Sequence, residues 1–349
     1  MTCSSALVFS IVLAGAACAT APDAAAQKKQ PKPQVEVKVA TLAPDGSTWM
    51  KTMRRIDEDV RAKTANRVGF KFYPGGVQGD EKDVIRKMRN GQIHGAAFTG
   101  FGLGTIVPEV RVLELPFMFE SLDELDHVRA KTDDYYRGLF EEEGYALLGW
   151  TDVGFVYLFS QTPVKSAADM QRCRWWIWSG DQLAEIFFKA FRITPIPLAA
   201  PDVLTSLQTG VIDAVYSSPL ACVALQWFTR VKYMSDTPVT HGVSALVVTR
   251  KSLAGVSPAD LAVLNEIVRA SLAELTAKTR VQNVEAIAEI KKEGVQVVAV
   301  DAAARRDFVE RGRAAWGEGV GVLYPRELLD RVSTMVADYR KTRGAGAAN

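Results

Sequence analysis

The chain has 349 residues, with 42 Lys and Arg against 40 Asp and Glu and a formal net charge of +2. The two signs are mixed along the sequence without a basic block, which argues against a nucleic-acid partner. Beyond the first apolar segment no stretch is long and apolar enough to span a bilayer, and the length suits one large domain or two lobes.

Ala6 to Cys18 is uncharged and apolar or small, and Ala24-Ala25-Ala26 offers a small-residue cleavage site before Gln27. This reads as an export signal over residues 1–26, although no Lys or Arg precedes the apolar run. Leu13 to Cys18 resembles a lipobox, but its apolar residue lies far from Cys18, so lipid anchoring is the lesser expectation and a periplasmic protein the main one. Residues 27–34 are a short basic, proline-bearing lead expected to be disordered.

Val35-Glu36-Val37-Lys38-Val39 alternates apolar and charged residues like a strand with one buried face. Pro44-Asp45-Gly46-Ser47 breaks it, and Ser47 caps a helix carrying Trp49, Met50, Met53 and Ile56. Phe70 to Tyr73 is a second strand, giving a β-α-β opening. A unit then occurs twice: Val84 to His94 is matched by Val203 to Asp213, with Gly91 and Gly210 seven residues after each valine. Each copy reads as a short helix opened by an acid (Asp80 with Glu81, and Asp202), closed by the glycine and followed by a strand, Ile93 to Phe98 or Ile212 to Tyr216. Two copies suggest two similar α/β lobes; the alternative is a chance match of a common unit.

Gly100-Phe101-Gly102-Leu103-Gly104 lacks dinucleotide-binding spacing and is expected to give turns and close backbone approach. Arg174-Trp175-Trp176-Ile177-Trp178 reads as a strand, with Trp176 and Trp178 on one face and Trp175 and Ile177 on the other. Either all three rings are core, or one face lines a pocket for a bulky, weakly polar ligand. Cys173 and Cys222 either pair or, as is more frequent, are buried small residues. Ser257-Pro258-Ala259-Asp260 starts a helix with no glycine or proline until Gly294, about 50 Å long at 1.5 Å per residue. It is long enough to strap two lobes; the alternative is two helices with a kink near Thr279.

No catalytic constellation stands out. His94, His127 and His241 are scattered without metal-ligand spacing, and there is no nucleophile elbow or phosphate loop. An exported two-lobed α/β chain without acid, base, nucleophile, metal or cofactor site suggests a binding protein with its ligand in a cleft, not an enzyme.

Gly79-Asp80-Glu81, Asn90-Gly91-Gln92-Ile93, Leu113 to Phe119, Ala168-Asp169-Met170 and Leu207 to Asp213 together resemble the DctP family, the substrate-binding proteins of tripartite ATP-independent periplasmic (TRAP) transporters. The resemblance covers roughly Val35 to Tyr339. It implies two α/β lobes, a cleft between them, a long helix across both and membrane permease subunits as partners. Residues 35–157 with 246–285 are expected to form lobe I, and 158–245 with 286–340 lobe II. The resemblance also implies an arginine that pairs with a ligand carboxylate, such as that of a C4-dicarboxylate or sugar acid. Its position is Trp176 here, with Arg174 two residues early and Arg172 at the usual glycine. A second arginine found in some members falls near Val156. An indole cannot imitate a bidentate Arg–carboxylate contact, and a carboxylate buried without a cation is costly. A hydrophobic or amphipathic ligand, lipid-like or aromatic, is therefore expected. Trp176 and Trp178 form one wall, with Phe155 and Tyr157 from the neighbouring strand. Tyr216, Ser217 and Ser218 supply hydroxyls, and Phe98, Thr99 and Trp49 come from the opposite lobe. Two alternatives stand beside this: a carboxylate held by a relocated Arg174 or Arg172, and an aromatic surface that docks a periplasmic helical-repeat protein.

Overall fold

The computed structural model describes residues 31–346. The signal and lipobox at residues 1–26, and residues 27–30 of the 27–34 lead, lie outside the described residues. Ten strands run in chain order: β1 (Val35–Thr41), β2 (Val68–Tyr73), β3 (Gly95–Thr99), β4 (Tyr145–Ser160), β5 (Trp176–Trp178), β6 (Ile196–Leu198), β7 (Ala214–Ser217), β8 (Tyr233–Ser235), β9 (Thr240–Thr249) and β10 (Gln296–Val298). The helices are α1 (Thr48–Lys63), α2 (Glu81–Arg89), α3 (Gly100–Ile106), α4 (Leu122–Glu142), α5 (Ala167–Met170), α6 (Gln182–Ala190), α7 (Val203–Thr209), α8 (Pro219–Ala224), α9 (Pro258–Lys292), α10 (Ala302–Glu318) and α11 (Arg326–Gly346).

β1 pairs in parallel with both β2 and β3, as the β-α-β opening requires. Ser47 caps α1 by accepting from the Met50 amide. Both copies of the repeated unit fold as expected, α2 leading to β3 and α7 to β7, with Gly91 and Gly210 at positive φ (71° and 73°) where a side chain would strain the turn. One detail differs: Asp80 caps α2, but Asp202 makes no side-chain cap, because a short 3₁₀ turn, Ala200–Asp202, leads directly into α7.

β4 and β9 tie the molecule together. The first part of β4 pairs antiparallel with β9, which also pairs with β3, and this half of the sheet continues to β1 and β2. The last four residues of β4, Tyr157 to Ser160, pair with β7, and Phe159 and Ser160 also pair with β8, which pairs with β10. Trp175 bridges to Ala214 and so joins the β5–β6 pair to this second half. Residues apolar on both faces explain the near-continuous burial of β9 between its neighbours.

Four apolar clusters cover the two halves. In the first half, α1 and α9 pack on one face and α2, α3 and α4 on the other. In the second, α6 and α10 cover the face that holds Trp175, and α7 and α8 the face that holds Trp176. Strand parity therefore places the two indoles as expected. α11 packs on α4 and on the 3₁₀ segment Pro108–Glu114. The end of the chain thus lies beside the first half of the sheet, not the second, where the expected boundaries put residues up to 340.

α9 is one continuous helix, capped by Ser257 and with Glu293 at its C-terminus, and it contacts α1, β4 and α8. It is not divided near Thr279. Its Asn283 donates to the Val153 carbonyl at a bulge of β4 and accepts the Leu220 amide at the start of α8. Gly154, at φ 117°, leaves room for this contact: a Cβ there would lie 2.5 Å from the Asn283 amide nitrogen. Cys173 and Cys222 are buried and unpaired, the more frequent of the two outcomes considered.

Candidate functional site

A cavity of about 650 Å³ lies between the two halves of the sheet. Trp49, Phe98 and Thr99 from the first half line it, and so do Trp176, Trp178, Tyr216, Ser217 and Ser218 from the second. The rings stack on one another. Trp176 is fully buried, lies 5.3 Å from Tyr216 in a near-parallel stack, meets the edge of Trp227 at 5.1 Å and donates its indole N–H to the Leu198 carbonyl. Trp178, less buried, lies 4.5 Å from Trp176 and stacks on Phe101 at 5.4 Å. Its N–H reaches Asp80 Oδ1 at 3.3 Å. Trp175 points away into the other core, donating to the Met170 carbonyl beside Phe188.

Three expected residues do not line the cavity. Phe155 and Tyr157 flank Val156, which does line it, so alternation turns both away. Phe155 packs against His241 with ring centres 5.3 Å apart, and Tyr157 packs among the apolar residues around Trp227 and Met234. Arg174 lies before the first residue of β5 and is drawn outward by Asp213, which accepts from its backbone N–H at 2.6 Å and its side-chain Nε at 3.1 Å. Arg172 is exposed and pairs with Asp169. Neither arginine supplies the cation that a relocated-arginine site needs. Trp175 and Trp176, both with no exposed surface, also form no outer docking face.

The cation in the cavity is Arg111, which the sequence reading missed. It sits in the Pro108–Glu114 segment with 8% of its side chain exposed. Its Nη1 donates to Glu114 Oε2 at 2.5 Å, and its Nη2 to both oxygens of Asp181 at 2.9 and 3.1 Å. Burial works against the guanidinium charge, but the Asp181 and Glu114 carboxylates outweigh it and hold the pKa above the usual arginine value. Burial pushes the Glu114 carboxyl up in spite of Arg111. Glu114 also accepts the Val243 amide of β9. The available signal was a charged pair three residues apart in an otherwise apolar run, Val110 to Leu115, a spacing that puts both on one helical face.

The glycines of α3 make room for this cluster. A Cβ on Gly100 would collide with the Glu114 carboxylate, one on Gly102 with Glu81, and one on Gly104 with the Arg111 side chain. The glycine-rich segment is therefore a helix that admits close side chains, not a set of turns. Glu81 accepts the amides of Thr99 and Gly102 and the Thr99 hydroxyl, and burial raises its pKa to about 8. Asp152, which also lines the cavity, is held by Arg129 at 2.6 Å and Arg280 at 2.7 Å. The Tyr216 hydroxyl is buried with no hydrogen-bond partner. Burial, with the Asp181 charge, pushes its pKa well above the usual tyrosine range, so it is a neutral group. Among the described residues no cluster of His, Cys, Asp and Glu is arranged to hold a metal ion.

A cleft between two α/β halves, walled by aromatic rings and strapped by one long helix, is the form of a ligand-capture protein. The profile of the family described as bacterial extracellular solute-binding protein, family 7 (DctP) matches residues 39–320. The chain belongs to this family. A solute-binding protein of Roseobacter denitrificans is 25% identical over 281 residues, 78% of this chain and 83% of that one. The 2,3-diketo-L-gulonate-binding periplasmic protein YiaO of Escherichia coli is 25% identical over 213 residues, 59% of this chain and 63% of its own. Among solved structures, a TRAP periplasmic solute-binding protein of Xanthobacter autotrophicus with bound β-D-galacturonate superposes with a TM-score of 0.79 at 19% identity, covering 86% of this chain and 99% of that one. One of Desulfovibrio salexigens with bound orotic acid gives 0.80 at 19% identity, covering 87% and 99%. The chain is a bacterial extracellular solute-binding protein, of a transport and not an enzyme family, with a two-lobed α/β fold like that of the TRAP periplasmic solute-binding proteins. No helix among the described residues is long and apolar enough to cross a membrane.

Proposed function

We propose that this protein captures a hydrophobic or amphipathic ligand in the aromatic cleft and delivers it to a TRAP-type permease. One observation carries the reading: the cavity is lined by Trp178, Trp49 and Phe101, backed by the fully buried Trp176 and Phe98, while the one cation among the described lining residues, Arg111, already carries a carboxylate at each end. Apolar burial and stacking on Trp178 supply most of the affinity. In this reading the halves of the sheet act as lobes that close on the ligand.

A second reading has a specific support. Relatives of this fold hold galacturonate or orotate, and Arg111 stands in the cavity. A small acid would then displace one of the arginine's own partners.

Fluorescence titration with the uncharged apolar amine N-phenyl-1-naphthylamine separates the two. The first reading expects saturable binding, weakened by at least about tenfold in Trp178→Ala, which corresponds to loss of one stacking contact. A wild-type protein that ignores the probe and binds D-galacturonate tightly overturns it.

A further inference from the structure

Arg111 and Asp181 belong to opposite sides of the cleft. Arg111 lies between α3 and α4 in the first half, whereas Asp181 follows β5 and caps α6 in the second. Their contact, Nη2 of Arg111 on both oxygens of Asp181, therefore crosses the cavity, and both side chains are almost fully buried, at 8% and 4% exposure. A second crossing, Trp178 stacked on Phe101 with its N–H on Asp80, lies close by. Asp181 thus presents to Arg111 the group that a carboxylate ligand would present, with both oxygens on the one nitrogen, Nη2, that Glu114 leaves open. A ligand carboxylate entering here meets Glu114 and Asp181 around a single guanidinium, and like charges at low dielectric repel strongly.

We infer that Asp181 is a specificity-determining residue: an internal carboxylate that occupies Arg111 across the cleft and so turns away carboxylate ligands while admitting uncharged or cationic ones. This inference rests on the apolar-cleft reading and adds to it the charge class of the ligand.

The test is calorimetric titration of D-galacturonate, D-glucuronate and orotate into wild type and Asp181→Ser. Serine keeps an N-cap acceptor for α6, where the Asp181 carboxylate now accepts the Ala184 amide. Asp181→Asn, closer in shape, serves if the serine variant does not fold. The expected result is negligible carboxylate binding by wild type and at least a tenfold gain, on the order of one bidentate contact, in the variant. The gain should vanish when Arg111→Met is added. A folded variant without any gain overturns the inference, as does wild-type binding of these acids that Asp181→Ser leaves unchanged. Wild type is titrated with N-phenyl-1-naphthylamine in parallel. Probe binding without a carboxylate gain sinks the role of Asp181 alone. A carboxylate gain without probe binding sinks the apolar-cleft reading and leaves that role standing.

Discussion

Trp175, just before β5, and Trp178, at its end, sit three residues apart with their rings in opposite cores, and their replacement should separate stability from affinity. Trp175 is fully buried among Phe188 and its neighbours, so Trp175→Ala should cost about 3–5 kcal/mol in denaturant unfolding with little direct effect on the cavity. Trp178→Ala should cost less stability and more ligand affinity. Trp176 should lose both, because its ring is core and wall at once. Equal unfolding costs for Trp175→Ala and Trp178→Ala would contradict this division. His241 gives a pH signature. Burial lowers its pKa to about 4, against an ordinary 6.5, and the Asp152 carboxylate 4.0 Å away offsets this only in part. As pH falls, the unfolded chain takes up the proton first. Stability is therefore complete above about pH 6.5 and is lost as pH falls through about 4, by roughly 3 kcal/mol from this group. Unfolding midpoints measured from pH 7.5 to 4 should show this slope, and His241→Met should flatten it; an identical slope in both proteins would remove His241 from the account. At this scale strand alternation was legible in the tryptophan run. The same rule, applied to Phe155 and Tyr157, should have pointed to Val156 instead. Arg111 was not legible, because nothing local tells an arginine in an apolar run that its partner lies 70 residues away.

The helix α9 is the element on which the two halves depend. Arg280 on it reaches Asp126 and the fully buried Asp152, and Asn283 holds the β4 bulge and the start of α8. Arg280→Met leaves Asp152 with Arg129 alone and should destabilise by about 3 kcal/mol. Adding Asp152→Asn should recover part of that loss, since it removes the stranded charge. Additive costs in the double variant would show that the pair does not act as a unit. The extent of α9 could be read from its Ser257-Pro258 start and the absence of glycine or proline inside it. The repeated helix-glycine-strand unit was equally readable, for its turn needs a residue at positive φ. The fold-back of α11 onto α4 and the 3₁₀ segment that carries Arg111 were not, because packing against distant elements, not local propensity, fixes both.

In the whole molecule, two half-sheets share β4, and the cavity lies where they meet. The family was legible from short segments spread over most of the chain. The chemistry of its cleft was not, because the wall is assembled from segments between Thr41 and Gln282 and its charge is balanced only in three dimensions. Scattering profiles should become more compact when an apolar ligand saturates the protein, as hinge closure requires; identical profiles would count against closure. The most direct measurement of the central claim is native mass spectrometry of protein purified without refolding. The account expects a co-purified apolar or amphipathic molecule that is lost from Trp178→Ala. A small carboxylic acid held by the wild type, and lost on Arg111→Met, would contradict it.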